Sequence, residues 1–555
     1  MPRQKSVTSS CPARTGRGDP TLHRLRLGVL ALVTAGLACA APALRYQTAP
    51  TTDAGIAAIT VDTMTLRGIA RYLSDDALGG RRTGTVGADR AAEFIAAECR
   101  RLGLVPASGE SYFQTVPLVE AHVDSAKSTV RIVGPKRDTT FVYWEEFIPD
   151  IGTAKTLRSF SGPLTYVGRA PDILFTRSNL PDLTGRVALL RGEFGASGEA
   201  ADTLYARGAI GVIEVVDDAN RYRLFRQTRG RTRLYHADSA LRSSVMPPFP
   251  TIMAGPRMTV TLYEPLTGVT HGSWNDAYLN GLAANLPEPQ ALEGWRAEVS
   301  LQLTPEQRTS RNVACLLPGR GAAADTAIAL TAHYDHLGIG VPDLKGDSIY
   351  NGFSDNAAGV AMALGVAEAM MKERAAGVGL ERSLLFLFFT GEEQGLLGSD
   401  WWVTHPAWPL TRTAGVLNLD ANAPAGRPTR WRIAGDSDAP LVQLVERELQ
   451  RLGGKTSLAP AAPGSDYFPF VKRGIPAVFF VPSDGQYEGH TDADSDSMRT
   501  SVWARYHRPD DHYTEAFPFG GLARYAEVTR VVLRAWDRSL NGRRTAAGAA
   551  VGASH

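Results

Sequence analysis

Cysteine is scarce in this chain, with 4 among 555 residues. That excludes a fold stapled by many disulfides. Cys11 and Cys39 lie close to the amino terminus, so only Cys99 and Cys315 remain in the body of the chain. Two cysteines so far apart in sequence read as buried free thiols rather than as a bridge. Net charge is small as well: a formal +2 at pH 7 is too little for a nucleic-acid partner. Much of the positive charge sits at the ends, in Arg14 to Arg26 and Arg543-Arg544. No internal repeat is visible, and a membrane-length apolar run is missing. Leu25 to Ala43 has a charged approach, an apolar core of about 15 residues against the roughly 20 that span a bilayer, and small residues after it. Residues 1–43 therefore read as an export signal, with a cleavage site at Ala38-Cys39-Ala40. Lipidation of Cys39 ranks second, because Gly36 stands where a lipoprotein signal usually has Leu. Such an anchor is the one membrane contact expected, and the location is periplasmic or extracellular.

Residues 44–60 read as a linker, and residues 61–155 as the first part of the main domain. Leu66, Ile69, Ala70 and Leu73 share one helical face, and Asp89 to Leu102 forms a second amphipathic helix. Tyr112 to Val119 has the texture of a strand, and Arg81, in the loop between the helices, reads as a surface residue. Across residues 156–264 short β-like runs alternate with glycine turns and one helix, Glu199 to Gly208, as in a small inserted domain. Residues 265–298 read as connecting loops. Residues 299–541 return to strand–helix alternation. Strands are expected at Asn312 to Leu317, Ala327 to Ala332, Leu384 to Phe389, Gly415 to Leu419 and Ala477 to Val481. Helices are expected at Asn356 to Arg374, Ala439 to Leu452 and Phe519 to Leu540, with a disordered tail over 542–555. The fold class is α/β: a mixed, mainly parallel sheet sandwiched by helices, with a small α/β insertion.

The chemistry gathers at the ends of the strand-like runs. IALTAHYDHLG spills His333 and Asp335 from an apolar run, and Asp355 follows in the next loop. LLFLFFTGEE ends in Glu392-Glu393, VLNLDA closes on Asp420, and YHRPDD supplies Tyr506 and His507. Singly, a carboxylate after a strand is a helix cap or a solvated loop residue. Jointly, separate strands delivering ligand-type residues to one sheet edge describe a metal site, since ligands collect outside the carboxyl ends of such strands. Histidine with carboxylate suits zinc better than calcium, which prefers oxygen alone.

In this order, AHYDHLG, NGFSDNAAGVA, FTGEE, NLDA and YHRPDD resemble the co-catalytic zinc aminopeptidase family, over roughly Val61 to Val119 and Val299 to Leu540. That family includes bacterial secreted aminopeptidases, glutamate carboxypeptidase II and transferrin receptor. The resemblance implies the zinc exopeptidase fold, two Zn2+ ions per chain and a peptide substrate. Asp355 would bridge the ions, His333 and Asp420 would complete one, and Glu393 and His507 the other. Glu392 would be the general base, Asp335 would fix the His333 ring, Tyr506 would bond the developing oxyanion, and Asp511 would orient the His507 loop. The runs Asp182 to Arg191 and Leu204 to Ile213 resemble the protease-associated domain, an insertion common in secreted peptidases.

The implied activity is removal of an amino-terminal residue from a peptide. A carboxypeptidase or dipeptidase of the same clan is the alternative; a glutaminyl cyclase or a non-catalytic receptor fits less well, because the whole ligand set is retained. His336 is expected to steady its loop without binding metal, and His512 is the reserve for His507. Residues 484–499 interrupt the expected link from Phe480 to Tyr506. Their Asp492-x-Asp494-x-Asp496 alternation lacks an EF-hand's other ligands, so they read as a solvated loop beside the cleft. Nothing in the sequence decides between monomer and dimer.

Overall fold

A computed structural model describes residues 60–150, 159–175, 180–192, 197–215, 222–223, 226, 232–238, 241, 251–268, 287–420 and 423–552. The stretch read as an export signal and nearly all of that read as a linker fall outside these residues. No described helix is long and apolar enough to cross a membrane.

The main sheet has ten strands. Nine are labelled here in chain order: β1 Phe113–Val123, β2 Thr232–His236, β3 Leu303–Leu317, β4 Ala327–His333, β5 Ser383–Phe389, β6 Thr413–Asn418, β7 Arg430–Ala434, β8 Lys455–Ala459 and β9 Ala477–Pro482. Their spatial order is β8-β7-β9-β6-β4-β5-β3-β1-β2, and Val105–Pro106 pairs with β3 off this path. The middle strands β5, β4, β6 and β9 are parallel, whereas β3, β1 and β2 add antiparallel strands on one flank. On the other flank β7 runs antiparallel to β9. The edge strand β8 pairs parallel with β7, so parallel pairing is found at the centre and again at this edge.

Helices cover both faces: α1 Thr63–Leu73, α2 Val86–Arg101, α3 Ala358–Ala375, α4 Leu397–Thr404, α5 Pro440–Arg451, α6 Asp492–Trp503 and α7 Gly520–Gly552. Burial on both faces explains why β5 reads SLLFLFF without polar alternation. Leu384, Phe386 and Phe388 join the core under α1, α2, α3 and α7, while Leu385, Leu387 and Phe389 join the opposite core with Trp402 and Phe470. A Cys99–Cys315 disulfide ties α2 to β3, with the Cα atoms 6.3 Å apart. This corrects the free-thiol reading; the fold, not sequence distance, decides which thiols meet.

A second, eight-stranded sheet has its own core around Leu164, Leu189, Ile213 and Ile252. It uses Thr129–Gly134, Arg137–Val142 and Phe147–Asp150 as well as Gln290–Ser300. These strands lie outside the 156–264 span read as the insertion, and the last occupies part of the stretch read as connecting loop. The cause is long-range pairing: Gln290–Ser300 sits between Thr129–Gly134 and Phe160–Arg169, partners that local pattern does not reveal. The strand β2, drawn from within the insertion, crosses over to the edge of the main sheet.

Two other expectations change. Residues 492–503 are helical rather than a solvated loop, capped by Thr491, whose hydroxyl accepts the Asp494 N–H at 3.1 Å. Acids in a first turn favour a helix amino terminus, so the aspartate alternation has a helical cause. Helix α7 continues to Gly552 instead of ending in a disordered tail, consistent with the high helix propensity of the alanines after Thr545.

Candidate active site

The central parallel strands end side by side, and their carboxyl ends carry the polar residues singled out above. His333 is the last residue of β4, Asp420 follows β6, and Glu392-Glu393 follow β5. Asp355 lies between Gly352 and the first turn of α3, where its peptide bond to Asn356 is cis. Gly352 adopts φ +58, and a Cβ there would lie 2.5 Å from the His336 ring. Only glycine lets this turn pass so close.

Asp355 stands between two imidazoles. Its Oδ1 lies 3.1 Å from His333 Nε2, and its Oδ2 lies 3.0 Å from His507 Nε2. His333 Nε2 is also 2.9 Å from Asp420 Oδ1, and His507 Nε2 is 3.2 Å from Glu393 Oε2. Ligands on a tetrahedral ion with bonds of about 2.0–2.1 Å stand about 3.3 Å apart, so these spacings fit donors sharing a small cation. Among the described residues, His333, Asp355 and Asp420 form one group with metal-holding geometry, and His336, Asp355 and Glu393 form another. The structure thus brings His333, Asp355, Glu393, Asp420 and His507 together, and adds His336. Its Nδ1 approaches Glu393 Oε1 at 2.6 Å, off the hydrogen-bond axis. By contrast, His512 and His490 are exposed.

The electrostatics have one theme: carboxylates crowded in a dry place. Burial would push the His507 imidazole down, yet Glu393 and Asp355 carry it up to about 10. Burial would likewise raise Glu393, but His507 and His336 hold it at about 2. Glu392 is pushed well above the usual carboxylate range, by burial first and then, against the pull of His333, by Asp420, Glu393 and Asp466. Such a cluster asks for bound positive charge, and its donor set suits divalent metal.

Several assigned contacts differ in detail. Asp335 does not take the second His333 N–H with its carboxylate, which is 3.8 Å away; its main-chain oxygen lies at 3.2 Å. The carboxylate instead accepts the Glu392 N–H at 3.1 Å and the Thr83 hydroxyl at 2.9 Å. Asp335 therefore positions the turn bearing both glutamates. Asp511 orients the Asp355 loop rather than that of His507, accepting the Ser354 N–H at 3.0 Å and the Asp355 N–H at 3.3 Å. Tyr506 stacks on His507 with ring centroids 3.7 Å apart. Burial first, then Asp355, Glu393, Glu392 and Asp420, push its phenol well above its ordinary value.

Arg81 is the main residue missed. It is fully buried, at φ +50, and donates to the carbonyls of Tyr334 at 2.7 Å, Asn351 at 2.5 Å and Gly352 at 3.0 Å, and also to that of Leu73. Three of those carbonyls lie in the loops that bear His333 and Asp355, so one guanidinium pins these two loops together. Burial lowers it to about 10, against Asp335, Asp355, Asp511 and Glu393. Ser465 was also missed: its hydroxyl bonds Asp420 Oδ2 and accepts from Asn418 Nδ2 at 2.6 Å.

Residues 312–532, which contain every one of these ligand-type residues, match the family model described as Peptidase family M28. Over this segment the chain is similar to M28 peptidases. Leupeptin-inactivating enzyme 1 of Streptomyces exfoliatus is 32% identical over 127 residues, covering 22% of this chain and 28% of that protein. A vacuolar membrane protease of Tuber melanosporum (strain Mel28) is 27% identical over 185 residues, covering 32% of this chain and 18% of its own length. The chain thus spans less than a third of these curated relatives. Among solved structures, an aminopeptidase from Aneurinibacillus sp. strain AM-1 aligns at a TM-score of 0.49 and 19% identity, covering 86% of this chain and 93% of that one. The zinc aminopeptidase BSAP of Bacillus subtilis aligns at 0.46 and 19% identity, covering 87% and 96%.

Proposed function

We propose that the protein is an exported aminopeptidase with two zinc ions, hydrolysing the first peptide bond of its substrates. The observation that carries this reading is the placement of Asp355, one oxygen on each imidazole. His333 and Asp420 would hold one ion, Glu393 and His507 the other, and Asp355 both; His336 fits better beside Glu393 than as a replacement for His507. Bound there, zinc lowers the pKa of water and polarises a carbonyl. The remaining work belongs to the chain. Glu392 takes a proton from the attacking water as the new C–O bond forms, then delivers it to the amine nitrogen as the C–N bond breaks. A carboxylate held high by burial is suited to carry that proton between the two steps. The Tyr506 hydroxyl donates to the oxygen that becomes negative. Asp335 and Arg81 keep Glu392 and the ligand loops in register. Export is supported by the Cys99–Cys315 bridge, which forms in oxidising compartments. The second sheet module is proposed to be the protease-associated domain.

Replacing Glu392 with Gln tests the reading. Turnover of aminoacyl-nitroanilides is expected to fall by about 10²-fold or more while zinc content stays unchanged. Unchanged turnover would remove Glu392 from the mechanism.

A further inference from the structure

The metal-ligand cluster has a neighbouring hollow of about 280 Å³ at the same sheet edge. Its floor is the end of β9, Val481-Pro482, the strand that runs parallel beside β6 and hence beside Asp420. Its roof is α6, which places Arg499 and Trp503 over it. Two contacts join the hollow to the site. Ala423, in its wall, donates its N–H to the hydroxyl of Ser354 at 2.9 Å, next to Asp355. Trp503 packs edge-on against Tyr506 at 5.4 Å, and Tyr506 stacks on His507. One aromatic ring separates the hollow from a ligand imidazole.

The charges in the hollow are unequal. Arg499 is engaged, with Asp484 at 3.3 Å, Asp496 in contact and the Gly485 carbonyl at 2.6 Å. Arg432 is not. It lies on β7 opposite Val481, exposed between the buried Trp431 and Ile433. Its field reaches the Tyr467 phenol. Among the described residues no ion pair reaches it; Asp484, which lines the same hollow, pairs with Arg499. A guanidinium that lines a hollow together with Trp503 and Pro482, with its donors open, selects a carboxylate. The volume sits just under the roughly 300 Å³ at which small-molecule pockets begin, enough for one residue.

We propose that this hollow is a specificity pocket that receives a carboxylate of the substrate, with Arg432 as its counter-ion and Trp503 as its apolar wall. The proposal rests on the peptidase reading above. Two sources share this chemistry, an acidic side chain and the free carboxyl terminus of a short peptide. Three substrates separate them: Ala-Ala amide, with no carboxylate; Glu-Ala amide, with a side-chain carboxylate; and Ala-Ala, with a terminal one. The zinc-loaded protein is expected to favour one of the last two over Ala-Ala amide by about tenfold or more in kcat/KM. Preference for Glu-Ala amide identifies the side chain, and preference for Ala-Ala the terminus. Arg432→Gln should erase the preference through KM and leave Ala-Ala amide untouched. Arg432→Glu should turn it toward Lys-Ala amide, a gain that misfolding cannot produce. Hydrolysis of all three substrates without preference, or an equal loss on all three in Arg432→Gln, overturns the pocket while leaving the peptidase reading standing. Absence of hydrolysis of any of them overturns both.

Discussion

Nε2 of His507 lies 3.0 Å from Oδ2 of Asp355, a contact between residues 152 positions apart in sequence. His507 holds a left-handed backbone angle, φ +56, to reach it. Non-glycine residues adopt that conformation where the surrounding structure demands it. Since the other oxygen of Asp355 faces His333, removing this one carboxylate should loosen both halves of the cluster. Asp355→Ala is expected to reduce bound zinc from two equivalents to one or fewer, measured by elemental analysis after dialysis. Retention of two equivalents would show that the halves are held independently.

A pH effect follows from the junction between the main sheet and its inserted strand. Glu120, on β1, accepts from Arg82 at 2.9 Å, Arg308 at 2.9 Å and Thr232 of β2 at 2.5 Å. Burial opposes its charge, but Thr232, Arg82 and Arg308 prevail and hold it down to about 2. A folded value below the unfolded one adds stability that is complete above the unfolded pKa, near 4.5, and is lost as pH falls toward 2. Glu120→Gln is expected to cost about 2 kcal/mol at pH 7, with the difference from wild type shrinking between pH 4.5 and 2. Urea denaturation at several pH values measures it; a pH-independent difference would assign the effect to shape.

Arg81 supplies a prediction about folding. Its guanidinium bonds four carbonyls from three separate segments, the end of α1 and two loops. Arg81→Met leaves those carbonyls buried without donors, at about 3 kcal/mol. Arg81→Lys should recover little of that, because one ammonium cannot span the fork. Thermal or urea unfolding of both variants checks this.

The Cys99–Cys315 bridge closes a span of 216 positions that includes the whole second module. Its removal by Cys99→Ser and Cys315→Ser together is expected to cost about 3 kcal/mol. Both residues are fully buried, so mild reductant on the folded protein should have little effect, whereas unfolding in reductant should match the double variant.

Much of this was legible before folding was considered, for a physical reason. Three of the proposed metal ligands follow uninterrupted apolar runs such as LLFLFF, and a strand buried on both faces announces itself in composition. His333, Glu393 and Asp420 were readable because their strands were. Arg81 was not. A charged residue in a glycine-rich loop looks the same whether it faces water or pins two loops from within, and only tertiary structure distinguishes them. The limits of the second module were missed because Phe147–Asp150 and Gln290–Ser300 find their partners more than a hundred residues away. Helix α6 was missed because acids spaced at alternate positions suit a helix start and a cation loop equally.

The most direct measurement is a crystal structure of the zinc-soaked protein with data collected at the zinc edge. The account predicts two anomalous peaks about 3.5–4 Å apart. One should touch His333 and Asp420, the other Glu393 and His507, with Asp355 between them. A single peak, or a second one seated away from Asp355, would contradict it.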